Sequence, residues 1–212
     1  MLAENLKRYL EAAVPIIYVN SYDDNAVEES ILRATGYRRV WEWNRLYGAL
    51  NRKDVHKTNV ETVYEIISDG CPLENFLING VKEREFDQKV IILKDIAPYL
   101  ENPDIVAILK TACLLIEQGE LDTVFIFVSS SLTVPGELEK YITVLEDEYL
   151  TESEIREEIL DFMKENNVGS VYEGTIEKLV TAFKGLSLLE IDTILSLAFR
   201  DDGTLSEDAP DL

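Results

Sequence analysis

Cysteine and histidine are almost missing from this chain of 212 residues: it has Cys71, Cys113 and the single His56. Two thiols 42 positions apart and one imidazole can build neither a disulfide framework nor a Cys/His zinc site, so both thiols are expected to be reduced and structural. Long apolar runs are missing too. Val14-Pro-Ile-Ile-Tyr-Val19 and Val124-Phe-Ile-Phe-Val128 stop far short of the roughly 20 residues that cross a bilayer, which excludes a helical span. The first residues, Met1-Leu-Ala-Glu-Asn-Leu-Lys-Arg8, are polar and amphipathic and hold no apolar core of a signal peptide; the expected location is the cytoplasm.

Basic residues are scarce as well, 20 against 41 acids, for a formal charge of −21. The deficit is uneven. Residues 1–100 hold 16 acids and 13 bases, a balance of −3, whereas residues 101–212 hold 25 and 7, a balance of −18. So acidic a half repels phosphate backbones and anionic lipids, which argues against nucleic-acid or membrane partners. One local exception is the stretch from Arg33 to Lys57, with Arg38, Arg39, Arg45, Arg52, Lys53 and the titratable His56 set against Glu42 and Asp54. It is expected to be a solvated face, with contact to a partner as the alternative.

What remains is an ordinary globular composition, 46% apolar, that alternates short buried runs with amphipathic segments. Residues 14–20, 38–43, 90–93, 123–128 and 141–145 read as strands. Residues 23–35, 59–68 and 103–117 read as helices, the first behind an aspartate cap and the second closed by Gly70 and Pro72. Continuous apolar strands separated by helices predict an α/β three-layer sandwich with a mostly parallel, five-stranded sheet buried on both faces. After residue 148 the pattern turns wholly helical, over 151–164, 175–183 and 187–199. Thr151 and Glu154 form a capping box there, and Gly185 ends one helix before Ser187 starts the next. The expected division is an α/β core over 1–148, a small helical subdomain over 149–200, and an acidic tail or linker over 201–212.

In such folds phosphates bind at the turn after the first parallel strand, where backbone N–H groups and a helix N-terminus converge. Here that turn, residues 20–25, has no glycine, no lysine and two acids, Asp23 and Asp24, which read as helix caps. None of the ten glycines is followed by lysine, so the sequence has no GxxxxGK[ST] phosphate loop. Val90-Ile-Ile-Leu-Lys-Asp95 resembles an acidic magnesium motif, but a hydrolytic version needs two successive acids, and Asp95 stands between Lys94 and Ile96. Ser129, Ser130 and Ser131, after the strand over 123–128, offer hydroxyls near the same edge and read chiefly as turn formers. No Ser/His/Asp or Cys/His set is credible.

Several of these segments together resemble a known family. Leu6-x-x-Tyr9, Pro15-Ile-Ile-Tyr-Val19, Val40-Trp-Glu-Trp43 with Gly48, Val90 to Asp95, the run from Phe125 to Lys140 with Ser129-Ser-Ser-Leu-Thr-Val-Pro-Gly-Glu-Leu138, and Phe183-Lys-Gly-Leu-Ser-Leu-Leu-Glu190 are similar to the N-terminal half of a bacterial and plastid AAA+ ATPase group. This is the group related to the uncharacterised AAA reading frame of chloroplast genomes. The resemblance implies a P-loop NTPase/AAA-like core and a helical lid-like subdomain, in a degenerate domain that precedes a second AAA domain carrying the working P-loop. That second domain of the same polypeptide would be the partner and would hold ATP and Mg, with a ring homo-oligomer possible at full length and the end at Leu212 a truncation near the linker. The lid arginine that such proteins present to nucleotide has no counterpart, since Leu188, Leu189 and Glu190 follow Ser187; no catalytic residue carries over.

The expected function is therefore a non-catalytic AAA-like domain acting in assembly, regulation or substrate engagement, with no metal or cofactor of its own. The alternative is a small nucleotide- or anion-binding α/β enzyme that uses the C-terminal edge of the sheet, with Ser21, Asp95, Ser129 and Ser130 as the pocket.

Overall fold

The computed structural model describes residues 2–22, 24–36, 38–53, 63–146, 150–168 and 173–198. Asp23, Asp54, His56, Lys57, Val60, Glu148 and the acidic tail over 201–212 lie outside them. The chain divides into two compact units, Met1–Asp147 and Glu148–Leu212.

The first unit is built on one sheet of seven strands: β1 (Ile16–Asn20), β2 (Arg39–Asn44), β3 (Gly48–Lys53), β4 (Val63–Asp69), β5 (Lys89–Lys94), β6 (Thr123–Ser129) and β7 (Ile142–Glu146). Their order is β4-β3-β2-β5-β6-β1-β7. The five strands β2, β5, β6, β1 and β7 run parallel, and β3 and β4 add an antiparallel edge beside β2. The central strands are buried along almost their whole length, which is why they read as unbroken apolar runs. Helices α1 (Leu2–Glu11) and α2 (Asp24–Thr35) cover one face, where Leu6, Leu10, Val27 and Ile31 meet Ile17, Val40, Val90 and Ile126. Helices α3 (Leu73–Lys82) and α4 (Pro103–Glu117) cover the other, over Trp43, Ile91, Phe125 and Phe127. Three layers result.

Two expectations are corrected. Among the described residues the sheet has seven strands, not five, because an antiparallel edge joins the five parallel strands and makes it mixed, and the helix expected over 59–68 is instead β4 in its described part. Val60, Val63, Tyr64 and Ile67 fit a helical spacing by coincidence; the run Val63-Tyr-Glu-Ile-Ile67 is rich in β-branched residues, and β3 offers it an antiparallel edge. Gly70, at φ +60°, ends that strand, and Pro72 is the N-cap of α3. Gly48 opens β3 at φ +72°, where a Cβ would lie 2.5 Å from both Cys71 N and Ser68 O, so no larger residue fits that corner.

The second unit contains α5 (Glu152–Glu165), α6 (Glu173–Ala182) and α7 (Leu188–Ala198), closed around Ile155, Ile159, Leu179, Phe183, Ile191 and Leu195. Thr151 and Glu154 form the capping box at α5, and Ser187 and Glu190 repeat it at α7. Both cysteines are free; Cys113 is buried in the α4 interface, and burial pushes its thiol up to about 12.

Candidate functional site

The connection leaving β1 crosses the face covered by α2 to reach β2, while the one leaving β6 crosses the opposite face, through Leu138 and Tyr141, to reach β7. Where an open α/β sheet parts its connections in this way, the rim at the strands' C-terminal ends is the usual ligand site. Register brings the four expected site residues to that rim. Asn20 pairs with Ser129 and Lys94 with Val128, and the Asp95 N–H donates to Val128 O at 2.8 Å, so Ser21, Ser129, Ser130 and Asp95 stand on three adjacent strand ends. Ser21 and Ser129 are buried, whereas Ser130 and Asp95 are exposed. Asp95 sits at φ +51°, a left-handed conformation that aspartate tolerates better than most residues.

The polar groups of this rim are largely turned on one another. With its amide oriented to donate, Asn20 Nδ2 lies 3.1 Å from Ser129 O and 3.2 Å from Ser130 O. Ser129 Oγ accepts from the Ser131 N–H at 3.4 Å. From inside the sheet, Tyr18 donates its hydroxyl proton to Ser131 O at 2.6 Å and accepts from the Thr133 N–H at 3.4 Å, tying down the loop; burial pushes its phenol above the ordinary value. The Ser129 hydroxyl thus serves the turn that follows β6, and the carbonyl oxygens of Ser129 and Ser130 face Asn20.

Below the rim lies a charged cluster that the sequence reading did not foresee. Arg52 on β3 has a side chain with 0% exposure, and its Nε and Nη2 donate to Glu42 Oε2 at 3.0 and 2.7 Å. Its Nη1 is 2.6 Å from Glu28 Oε1 on α2. Lys94 Nζ, at the end of β5, donates to Glu28 Oε2 at 3.0 Å and stands 3.7 Å from Glu42 Oε1. Two acids and two bases from four elements neutralise one another and join α2 to the sheet. Burial alone would raise the Glu28 carboxyl, but Arg52 and Lys94 outweigh it and hold it down to about 2. Burial would likewise lower the Lys94 ammonium, and Glu42 and Glu28 reverse that and raise it.

The basic stretch is therefore not one solvated face: Arg33, Arg39 and Arg45 are exposed, but Arg52 is interior. One signal for this stood in the sequence. Glu42 occupies the same face of its strand as Val40, opposite Trp41 and Trp43, and a charge in an apolar alternation needs a buried partner.

Two clefts open elsewhere among the described residues. One of 310 Å³ is lined by Arg39, Asp87, Gln88 and Lys89, and one of 200 Å³ by Lys7, Leu10, Glu11, Ala34, Thr35 and Arg38; both lie toward the N-terminal ends of the strands, away from the candidate rim. Among the described residues no group of three or more His, Cys, Asp or Glu is placed to hold a metal ion, and no helix is long and apolar enough to cross a membrane.

Residues 2–146 match the family described as SpoVK-like AAA ATPase, N-terminal domain, and residues 153–212 match its second domain. The chain belongs to the SpoVK-like AAA ATPases. This agrees with the AAA+ resemblance read from the sequence, and the curated relatives carry it to the same chloroplast reading frame. The uncharacterised AAA domain-containing protein ycf46 of Guillardia theta is 27% identical over 198 residues, covering 91% of this chain and 36% of that protein. Its namesake from Trieres chinensis is 26% identical over 204 residues, covering 94% and 38%. This SpoVK-like chain thus spans little more than a third of the length of either. In fold it is similar to a single-substitution variant of RuvB from Thermotoga maritima, with a TM-score of 0.58, 11% identity, and coverage of 99% of this chain and 66% of that one. PCH-2 of C. elegans gives 0.55, 11%, 99% and 63%. At such identities the likeness is one of fold alone.

Proposed function

We propose that this chain is a non-catalytic AAA-like module of a longer SpoVK-like ATPase, serving assembly, regulation or substrate engagement for an ATPase domain elsewhere in the polypeptide. The observation that carries this reading is the Glu28–Arg52–Glu42–Lys94 cluster. It places two carboxylates and their own counter-cations beside the first turns of α2, where a phosphate-binding fold would need a glycine loop and an uncommitted lysine. The residues present do not fit a magnesium nucleotide: the β1–α2 turn supplies no glycine or lysine, Asp95 has no second acid beside it, and Asn20 engages the carbonyls of Ser129 and Ser130. ATP and magnesium belong, on this reading, to the separate domain, the three helices α5 to α7 are a lid-like subdomain without a nucleotide-facing arginine, and the module works in the cytoplasm. Assembly of the full-length protein as a ring is part of the same proposal, with the basic stretch from Arg33 to Lys57, apart from its interior Arg52, and the acidic residues 101–212 as complementary charges. A turnover assay on the purified chain with ATP and magnesium tests it. No phosphate release above blank is expected, and turnover that Asp95→Asn abolishes would overturn it.

A further inference from the structure

Arg39 opens β2 and Lys89 opens β5, and the register pairs these two residues on adjacent parallel strands. Neighbouring strands lie only about 4.8 Å apart, and side chains in register share a face. The fold thus sets two cations side by side at the N-terminal end of the sheet, on the face where Trp41 and Ile91 meet the core under α3 and α4. The Lys89 ammonium is fixed there: it lies 4.7 Å from the centre of the Trp41 ring and donates to Glu85 O and, at 3.4 Å, to Asp87 O. Arg39 is exposed, so its guanidinium is open to a ligand. Both cations line the cleft of 310 Å³, together with Asp87 and Gln88 among the described residues. The Asp87 carboxylate accepts from the Asp122 N–H at 3.1 Å and stands 4.0 Å from Arg84. Burial and then Arg39 push the Lys89 ammonium below its ordinary value, and Asp87 and Glu85 offset only part of that push.

We propose that the Arg39–Lys89 cleft binds a small oxyanion, a phosphate or carboxylate group seated between the guanidinium and the ammonium. The planar fork of Arg39 matches two oxygens of either group, and Lys89 adds a point charge whose position the Trp41 ring and two carbonyls already hold. An anion entering the cleft relieves the repulsion between the two cations. The exposed Gln88 amide offers a neutral donor beside them. The volume sits at the lower end of the roughly 300–1,000 Å³ of small-ligand pockets, which suits a compact polar guest. A chain of −21 repels anions over its surface as a whole, so saturable binding of one requires a built local site. This cleft lies at the opposite ends of the strands from the rim, and the proposal is independent of how the rim is read.

Nuclear magnetic resonance of the whole chain, titrated separately with inorganic phosphate, succinate and sodium chloride at matched ionic strength, tests the site. Phosphate or succinate should shift the Gln88 and Lys89 amides and the Trp41 indole N–H saturably, with a Kd on the order of 1 mM. Tighter binding of phosphate assigns a phosphoryl ligand, and equal or tighter binding of succinate assigns a carboxylate; either supports the site. Arg39→Gln, at an exposed position that should leave the fold intact, is expected to weaken binding at least about tenfold. Lys89→Gln should do the same, while Lys89→Arg should keep part of the affinity. Lys7→Gln, at a cation of the other cleft, should change nothing. Shifts that sodium chloride reproduces, shifts that do not saturate, or binding that survives Arg39→Gln unchanged would each overturn the proposal.

Discussion

Arg52 is a full charge with no exposed side-chain surface, and Glu42, at 2% exposure, is its counterpart. Such pairs contribute little net stability compared with well-packed apolar residues, but removing one member leaves the other charged and dry. Arg52→Met is therefore expected to cost about 3–5 kcal/mol in chemical denaturation, while the charge-removing double variant Arg52→Met/Glu42→Leu should recover much of the loss. The pH dependence has a definite sign. Glu28 is held near 2 against an unperturbed 4.5, so its contribution is present above about 4.5 and is lost as pH falls toward 2. Wild-type stability should fall relative to that of Glu28→Gln across that window; parallel curves would mean that the carboxylate is not engaged. The sequence alone placed Ser21, Asp95, Ser129 and Ser130 where strand ends meet, because strand ends are legible from apolar runs. It did not foresee the ion cluster, because Arg52, Glu28, Glu42 and Lys94 come from four elements whose adjacency depends on sheet order.

Helix α3 meets the sheet through Gly80, against which the ring of Phe86 is packed so closely that a Cβ would lie 2.1 Å from it. Gly80→Ala should thus destabilise the first unit by about 1–3 kcal/mol despite the better helix propensity of alanine; a gain in melting temperature would contradict this packing. In the second unit, Thr151→Ala and Ser187→Ala each remove an N-cap acceptor and should each cost about 1 kcal/mol. Glu158 on α5 is raised, first by burial and then by Asp192, so its contribution is present at acid pH and is lost as pH rises through its folded value. Glu158→Gln should make the helical unit slightly more stable at neutral pH, by well under about 1 kcal/mol given how much solvent screens it. Elements differ in how plainly they are written. Strands β1, β5 and β6 and helix α4 are evident because burial on both faces, or on one long face, leaves an uninterrupted apolar signature. The β3–β4 edge is not: Gly48–Lys53 mixes polar and apolar residues because Arg52 is buried only by virtue of its ion partners, and β4 carries apolar residues on exposed positions.

For the whole molecule, the chain belongs to the SpoVK-like AAA ATPases, and the division of labour proposed above assigns ATP hydrolysis to a separate domain of the longer protein. The charge distribution bears on the same division. A chain with −18 over residues 101–212 presents a poor surface to a nucleotide polyphosphate unless a built site overcomes it, and on the proposed reading the strand ends do not supply one. Isothermal calorimetry of the purified chain with ATP and magnesium tests this most directly. The expected result is no binding tighter than about 100 µM, equivalent to roughly 5.5 kcal/mol. A saturable isotherm below that value, weakened by substitution of Ser21, Asp95 or Ser129, would contradict the central claim and establish the strand-end rim as a working nucleotide site.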